Sequence, residues 1–152
     1  MNSPRLTLRK GEKLRHRSLV EPLFKEGHTL YEFPIRLTWR ALSEDELEKT
    51  FCDHVPERID RVQMLITVPK KKRRHAVDRV LMRRRIREAW RLNRLPLKEA
   101  LENSENVRTL SVALIYLSDK NAPYSTIEQK IRLLLRKLAS KIDSSLPKQQ
   151  TP

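Results

Sequence analysis

Cysteine is almost absent from this chain, whose 152 residues include only Cys52. A single thiol excludes an internal disulfide and cannot supply a cysteine-rich zinc site. The four histidines, at positions 16, 28, 54 and 75, are too scattered for the ligand spacing of a metal site. We therefore predict no disulfide partner, no metal bound by the protein alone, and a spectator thiol at Cys52.

Long apolar runs are also missing. No stretch approaches the roughly 18 consecutive apolar residues that a membrane-spanning helix needs. The first ten residues, MNSPRLTLRK, lack the apolar segment of a secretory signal. We therefore expect a cytoplasmic protein that neither spans a membrane nor enters the secretory pathway.

Acidic residues are too few to balance the basic ones, since 19 Asp and Glu face 33 Lys and Arg, for a net charge of +14. Residues 70–94 hold twelve Lys or Arg and only two acids, so they carry +10 of that charge. Like charges repel one another and add nothing to a core, which implies a polyanionic partner. Interleaved Ile, Leu and Trp predict a folded basic face, because a disordered basic tail would lack them.

The length and the 38% hydrophobic content predict one domain over residues 1–152, with an ordered core at about 8–142 and a polar, frayed tail at 143–152. Period-two alternation predicts strands at 33–41, 61–68 and 109–117, with Pro34 suiting an edge strand. Residues 43–60 hold seven acids without a clear period, which is typical of a surface loop.

Three helices complete the predicted fold. Possible capping boxes begin the first helix at Ser18 and the last at Ser125, and Gly27 ends the first. The basic helix is expected to begin between residues 77 and 79, with Asp78 as its N-cap, and to end before Pro96. About three strands and three helices indicate a single α+β domain.

The basic helix separates into two faces at 100° per residue. One sector contains Asn93 and the apolar residues Met82, Ile86, Ala89 and Trp90. The other face carries a slanted arginine ribbon about 18 Å long, formed by Arg79, Arg83, Arg87 and Arg91. The loop 70–74 extends this ribbon, and Arg84 and Arg94 widen it. Trp39 and Trp90 are predicted to be core residues, since both lie on apolar faces.

Forked guanidinium groups suit phosphate oxygens, so the ribbon predicts a nucleic-acid backbone as the ligand. A solvated helix face and a localisation signal are the alternatives for this segment. The candidate RNA-binding residues are Lys70, Lys71, Lys72, Arg73, Arg74, Arg79, Arg83, Arg84, Arg87 and Arg91.

These residues carry a resemblance to a known family. The segments FKEG at 24–27, VPKK at 68–71, Ala76-Val77 with Arg79, and Arg83-Arg84 through Arg87-Glu88-Ala89 together resemble the protein subunit of bacterial ribonuclease P, over about residues 8–142. Three positions depart from the usual pattern. Val80-Leu81 replaces Asn-Arg after Arg79, and Pro69 replaces the Ser that usually precedes the lysine pair.

The resemblance implies an α/β sandwich in which a left-handed βαβ crossover passes through the basic helix. It implies a subunit that binds a catalytic RNA through Arg79, Arg83, Arg84 and Arg87 and assists endonucleolytic removal of the 5′ leader from precursor tRNA. The leader would lie in a cleft between the first helix and the sheet. Phe24, Ile35 and Leu37 are the candidate cleft residues, and Phe24 is either a stacking platform or plain core. Catalytic Mg²⁺ would belong to the RNA, with no cofactor bound by the protein alone.

Two other classes of function are open at this point. A general RNA- or DNA-binding protein, such as a ribosomal component, would bind without assisting cleavage. A stand-alone nuclease would need carboxylates or histidines able to hold Mg²⁺ or to act as acid and base. The acidic segment Glu44 to Asp60 shows no helical or strand framework for such a site. We therefore interpret it as a solvated loop.

Overall fold

The computed structural model describes residues 7–52, 54–57 and 59–150, with side chains up to residue 142. Four strands form one sheet in the order β1-β2-β4-β3. β1 and β4 both pair with β2 antiparallel, whereas β3 pairs with β4 parallel. The strands are β1 His28–Glu32, β2 Ile35–Leu42, β3 Val62–Thr67 and β4 Thr109–Tyr116. The helices are α1 Arg17–Glu26, α2 Glu44–Thr50, α3 Ala76–Asn93, α4 Leu95–Glu102 and α5 Tyr124–Gln150, preceded by a 3-10 turn at Lys10–Glu12.

β4 is the centre of the fold, because all eight of its residues are buried. Leu110, Val112, Leu114 and Tyr116 belong to a core cluster that also contains residues of α3, α4 and α5. Ala113 and Ile115 belong to a second cluster that contains residues of α1 and α2. Helices therefore cover both faces of the sheet, and the predicted single-domain α/β sandwich is confirmed.

The predicted βαβ crossover is also confirmed, since α3 and α4 connect the parallel strands β3 and β4. The left hand of that crossover stays a prediction. None of the helices in the described residues is long and apolar enough to cross a membrane.

The strand prediction missed β1, which forms the sheet edge that was assigned to β2. Pro34 lies in the turn between β1 and β2, where a missing N–H costs no ladder bond. Its carbonyl instead accepts a hydrogen bond from the N–H of Leu117 at 2.7 Å. The edge assignment of β2 was therefore wrong.

The predicted helix starts were wrong by one to three residues. α1 and α3 begin after His16 and His75, which serve as N-caps in extended conformation without side-chain capping bonds. Ser18, Asp78 and Ser125 consequently lie inside the first turns of their helices. Gly27 does cap the C-terminus of α1, as predicted.

Two helices, α2 and α4, were not predicted, and α5 is longer than predicted. Ser43 begins α2 with a capping box, in which its Oγ accepts from the N–H of Glu46 at 3.2 Å. Pro96 lies in the first turn of α4, so it starts a second helix just after α3 ends. α5 continues to Gln150 and does not end near residue 143. Residues 151 and 152 of the predicted tail lie outside the described residues.

A buried ion cluster fastens the N-terminal segment to the junction of α3 and α4. Arg94 Nε donates to Glu12 Oε1 at 2.8 Å, and Lys98 Nζ lies 3.1 Å from the same oxygen. The side chains of Arg94 and Glu12 are each 1% exposed. Arg94 therefore does not widen the cationic ribbon, contrary to the prediction, because it neutralises a carboxylate in the interior.

Glycine is required at position 27 by a close approach of α1 to β2. A Cβ atom there would lie 2.3 Å from the carbonyl oxygen of Leu23 and 2.7 Å from Thr38 Cγ2. The backbone φ of −70° is ordinary, so the constraint is steric. We expect Gly27→Ala to lower the free energy of unfolding by about 2 kcal/mol in urea titrations. Ser18→Ala, an exposed change in the same helix, should stay within about 0.5 kcal/mol. Equal midpoints for the two variants would contradict this account.

Removing the Glu12 charge should destabilise the protein in a pH-dependent way. Burial alone would raise the pKa of Glu12, but hydrogen bonds from Arg94, the Arg9 backbone and Lys98 outweigh it and hold this pKa below its ordinary value of 4.5. The stabilisation is thus complete above 4.5 and is lost as the pH falls through the lowered folded-state pKa.

We expect Glu12→Gln to cost about 3 kcal/mol at neutral pH, since it removes the buried carboxylate charge that pairs with Arg94 and Lys98. Urea unfolding in increasingly acidic buffer should show this difference shrinking. Glu21→Gln, at an exposed surface pair with Arg17, is the matched control and should cost under about 1 kcal/mol. A difference that does not change with pH would refute the assignment.

Candidate nucleic-acid interface

The apolar stripe of α3 fixes which of its faces is outward. Met82, Ile86, Ala89 and Trp90 are buried against the sheet and α5. Trp90 is 1% exposed and Trp39 packs partly buried against the same cluster, so both are core residues as predicted. With this stripe inward, the intervening arginines must lie at the flanks or on the outside of the helix.

Seven of the ten predicted RNA-binding residues form no ion pair or hydrogen bond through their side chains within the described part of the chain. Six of them are exposed on the loop or helix, and the seventh, Arg83, is half-buried. We call this group the cationic surface. Its members are Lys70, Lys71, Lys72, Arg74, Arg83, Arg84 and Arg87.

The other three predicted residues, Arg73, Arg79 and Arg91, have intramolecular partners. Arg79 donates to the carbonyls of Arg73 and Arg74 at 2.9 and 2.6 Å, which folds the basic loop onto the start of α3. Arg73 forms a 3.0 Å ion pair with Asp78 and also donates to the carbonyl of Asp119. These contacts give Arg73 and Arg79 a structural task in holding the loop.

Two carboxylates on α3 neutralise part of the local charge. A hydrogen bond from Asn121, together with the charge of Arg73, holds the pKa of Asp78 below its ordinary value. A hydrogen bond from Arg91 lowers the pKa of Glu88 in the same way. Both acids are therefore ionised at neutral pH and already engaged. They leave the cationic surface without a counter-charge.

The departure at Val80-Leu81 changes the outer surface of α3. Val77 and Val80 are 78% and 49% exposed, one turn or more before Arg84. An apolar patch formed by Val77 and Val80 thus borders the cationic surface, and Val80 is one of the positions that depart from the usual pattern. The density of positive charge is kept by the loop and by Arg83 and Arg84.

The predicted leader cleft was partly wrong. Ile35 and Leu37 are fully buried in the core that packs on α3–α5, on the face of the sheet opposite α1. The alternation of β2 is real, but its polar residues face α1. Arg36 and Arg40 lie on that side, and Arg40 Nε lies 3.8 Å from Glu26 Oε2 of α1.

Exposed aromatic side chains lie on α1, on β1 and in the turn between β1 and β2. Phe24 is 48% exposed on α1, so the core alternative for this residue is not supported. Tyr31 of β1 is 61% exposed and is the direct cross-strand partner of Arg36. Phe33, in the turn between β1 and β2, is 67% exposed. The sequence prediction missed Tyr31 because it did not include β1, and it placed Phe33 in the predicted strand 33–41 and not in a turn.

The first part of the acidic segment forms the helix α2, Glu44–Thr50, contrary to the prediction of a solvated loop over the whole segment. Glu44, Asp45, Glu46 and Glu48 of α2 are all exposed. Among the residues that the structure describes, no three His, Cys, Asp or Glu side chains are grouped closely enough to hold a metal ion. The described chain thus provides a cationic surface but no assembled set of acidic ligands.

Replacing Arg79 should loosen the basic loop, whereas replacing Arg84 should not. We expect Arg79→Ala to lower the free energy of unfolding by about 1 to 2 kcal/mol, since two carbonyls lose a charged donor. Arg84→Ala removes the same charge from an exposed position and should change stability by under about 0.5 kcal/mol. Chemical denaturation measures the free energy of unfolding of both variants. Equal values would show that the Arg79 contacts do not stabilise the protein.

Known protein families and solved structures give matches to this chain. A family model described as Ribonuclease P matches residues 8–139. The ribonuclease P protein component of Porphyromonas gingivalis strain W83 is 30% identical over 147 residues, which is 97% of each chain. The corresponding component of Chlorobium phaeobacteroides is 28% identical over 137 residues, covering 87% of this chain and 88% of that one.

Two solved structures share the fold. The RNase P protein of Staphylococcus aureus superposes with a TM-score of 0.57 at 18% identity, covering 85% of this chain and 96% of that chain. The RNase P protein of Thermotoga maritima gives 0.56 at 21% identity, covering 83% and 96%. With the family model spanning most of the sequence, the chain belongs to the ribonuclease P protein family, whose members are protein subunits of a ribonucleoprotein endoribonuclease.

Proposed function

We propose that this subunit binds the ribonuclease P catalytic RNA through the cationic surface and helps it remove the 5′ leader of precursor tRNA. The observation that carries the proposal is the set of seven cations on α3 and the basic loop with no acidic partner in the described chain. Unpaired cations this close together repel one another, and RNA phosphates would relieve that repulsion. A general RNA-binding role was the alternative, and family membership favours the subunit.

The leader is proposed to lie on the side of the sheet that faces α1. Phe24 and Tyr31 offer exposed rings for stacking on unpaired bases, and Arg36 offers a charge beside Tyr31. This replaces the predicted contacts of Ile35 and Leu37, which are in the core. A single strand suits such a surface because its bases are free to stack.

The hydrolytic chemistry is proposed to be that of the RNA, with Mg²⁺ at the RNA active site. The protein would contribute binding and positioning, which raise the occupancy of the productive complex. The cytoplasmic location expected from the sequence stays a prediction.

Replacing Arg83 and Arg87 of α3 should remove most of the stimulation of cleavage by the protein. We expect the protein to stimulate precursor tRNA cleavage by a bacterial ribonuclease P RNA at low Mg²⁺, and Arg83→Ala with Arg87→Ala to remove most of that stimulation. Seven phosphate contacts at about 0.7 each give a log–log salt slope near −5 for RNA binding, and the double variant should flatten it by about 1.5.

Arg136→Ala with Lys141→Ala is the charge-matched control, since both residues are exposed on α5. It should keep both the stimulation and most of the slope. If the control and the α3 variant behaved alike, overall charge and not the cationic surface would account for binding.

A stacking contact should depend on the length of the leader. We expect Tyr31→Ala or Phe24→Ala to weaken binding of precursor tRNA with a long leader by about fivefold or more. Binding of mature tRNA by the same holoenzyme should not change, and Tyr31→Phe should retain the wild-type affinity because it keeps the ring. Equal losses for precursor and mature tRNA would place these aromatic residues outside the leader contact.

A further inference from the structure

A groove of about 470 Å³ lies beside the cationic surface, between the N-terminal segment and α3. Leu8, Met64 and Ile66 supply apolar side chains to its lining, and Lys13, Arg83 and Arg87 supply positive charge. Its volume is within the range of pockets that hold small organic ligands, roughly 300 to 1,000 Å³. The seven-residue cationic surface thus continues into a concave, partly apolar site.

The chemistry of the lining selects an anion that also has an apolar part. No acid lines the groove, and neither Lys13, Arg83 nor Arg87 pairs with an acid in the described chain. Simple phosphate binding needs no apolar floor, because phosphates in contact with cations remain wet. A nucleotide combines both properties, since its base is flat and weakly polar and its phosphate is charged.

The edge of β3 adds hydrogen-bonding groups to the same groove. Among the residues that the structure describes, the N-terminal segment pairs with β3 through a single bridge between Lys13 and Met64, where the N–H of Leu14 donates to the Met64 carbonyl at 2.9 Å. Because strand residues two apart point their backbone groups the same way, Ile66 presents its N–H and C=O to this open edge. A base against Ile66 would find a donor and an acceptor for its edge.

The wall of the groove is held in place before any ligand binds. The Glu12–Arg94 ion pair and a 2.9 Å hydrogen bond from Gln63 Nε2 to the Gly11 carbonyl fix the segment between Leu8 and Lys13. A preformed wall reduces the ordering cost of binding.

We propose that this groove holds one unstacked nucleotide of the ribonuclease P RNA, with its base against Leu8 and Ile66 and its flanking phosphates on Lys13, Arg83 and Arg87. The inference rests on the proposed function and adds a base contact to what would otherwise be backbone binding. Such a contact would give the subunit a means of fixing its register on the RNA.

The test uses the full chain with methyl-labelled Leu, Met and Ile and two short single-stranded RNAs. One has all its bases, and the other lacks the central base but keeps every phosphate. We expect NMR titration to shift the methyl signals of Leu8, Met64 and Ile66 with the first RNA alone. We expect the abasic RNA to bind roughly fivefold or more weakly.

Protein variants separate the two parts of the site. Leu8→Ser should weaken binding of the complete RNA and leave binding of the abasic RNA unchanged. Lys13→Ala should weaken binding of both RNAs. Equal affinity of the two RNAs, with no shift of the groove methyls, would overturn the proposal whether or not the variants fold. Because these RNAs are not cleaved, that result would leave stimulation of precursor tRNA cleavage intact. Base-dependent binding without such stimulation would instead contradict the proposed function alone.

Discussion

The burial of β4 on both faces is the constraint on which the rest of the structure depends. A strand with every residue buried needs a layer of helices on each side, so α1 and α2 must cover one face and α3–α5 the other. These layers bury most of the large apolar side chains of the described residues. Residues 70–94 carry +10 of the net charge of +14, so the surplus of positive charge is concentrated on α3 and the basic loop.

The structure divides its cations into two groups with different tasks. Arg73, Arg79 and Arg94 neutralise carboxylates or bind carbonyls, and they hold the basic loop and the N-terminal segment on α3. The seven residues of the cationic surface have no such partners in the described chain. The first group therefore positions the second, and a rigid array of unpaired charges binds a polyanion with less ordering cost than a mobile one.

Periodicity predicted the long, regular elements well, because α3, β2, β3 and β4 each bury a continuous stripe or face. It failed where the deciding contact is distant or the element is short. β1 has only five residues, mostly exposed, and gives little apolar alternation. Arg94 looks like one more surface arginine in sequence, since its partner Glu12 is 82 residues away.

The capping signals and the cleft show the same limit. Ser18-Glu21 and Ser43-Glu46 have the same pattern, yet only the second forms a capping box, because His16 already begins α1 in extended conformation. The alternation of β2 correctly separates Ile35 and Leu37 from Arg36. It cannot tell which of the two faces meets α1, since both faces of this sheet are covered.

The central claim is that α3 presents its unpaired cations to the catalytic RNA, and directed hydroxyl-radical cleavage tests it most directly. With Cys52→Ser as background, an iron chelate would be attached to Arg84→Cys on α3 or to Glu48→Cys on α2, both at exposed positions. Our account predicts discrete cuts in the ribonuclease P RNA from position 84 and none from position 48. Cuts from position 48 alone would show that the RNA binds the opposite side of the sheet, and the claim would be wrong.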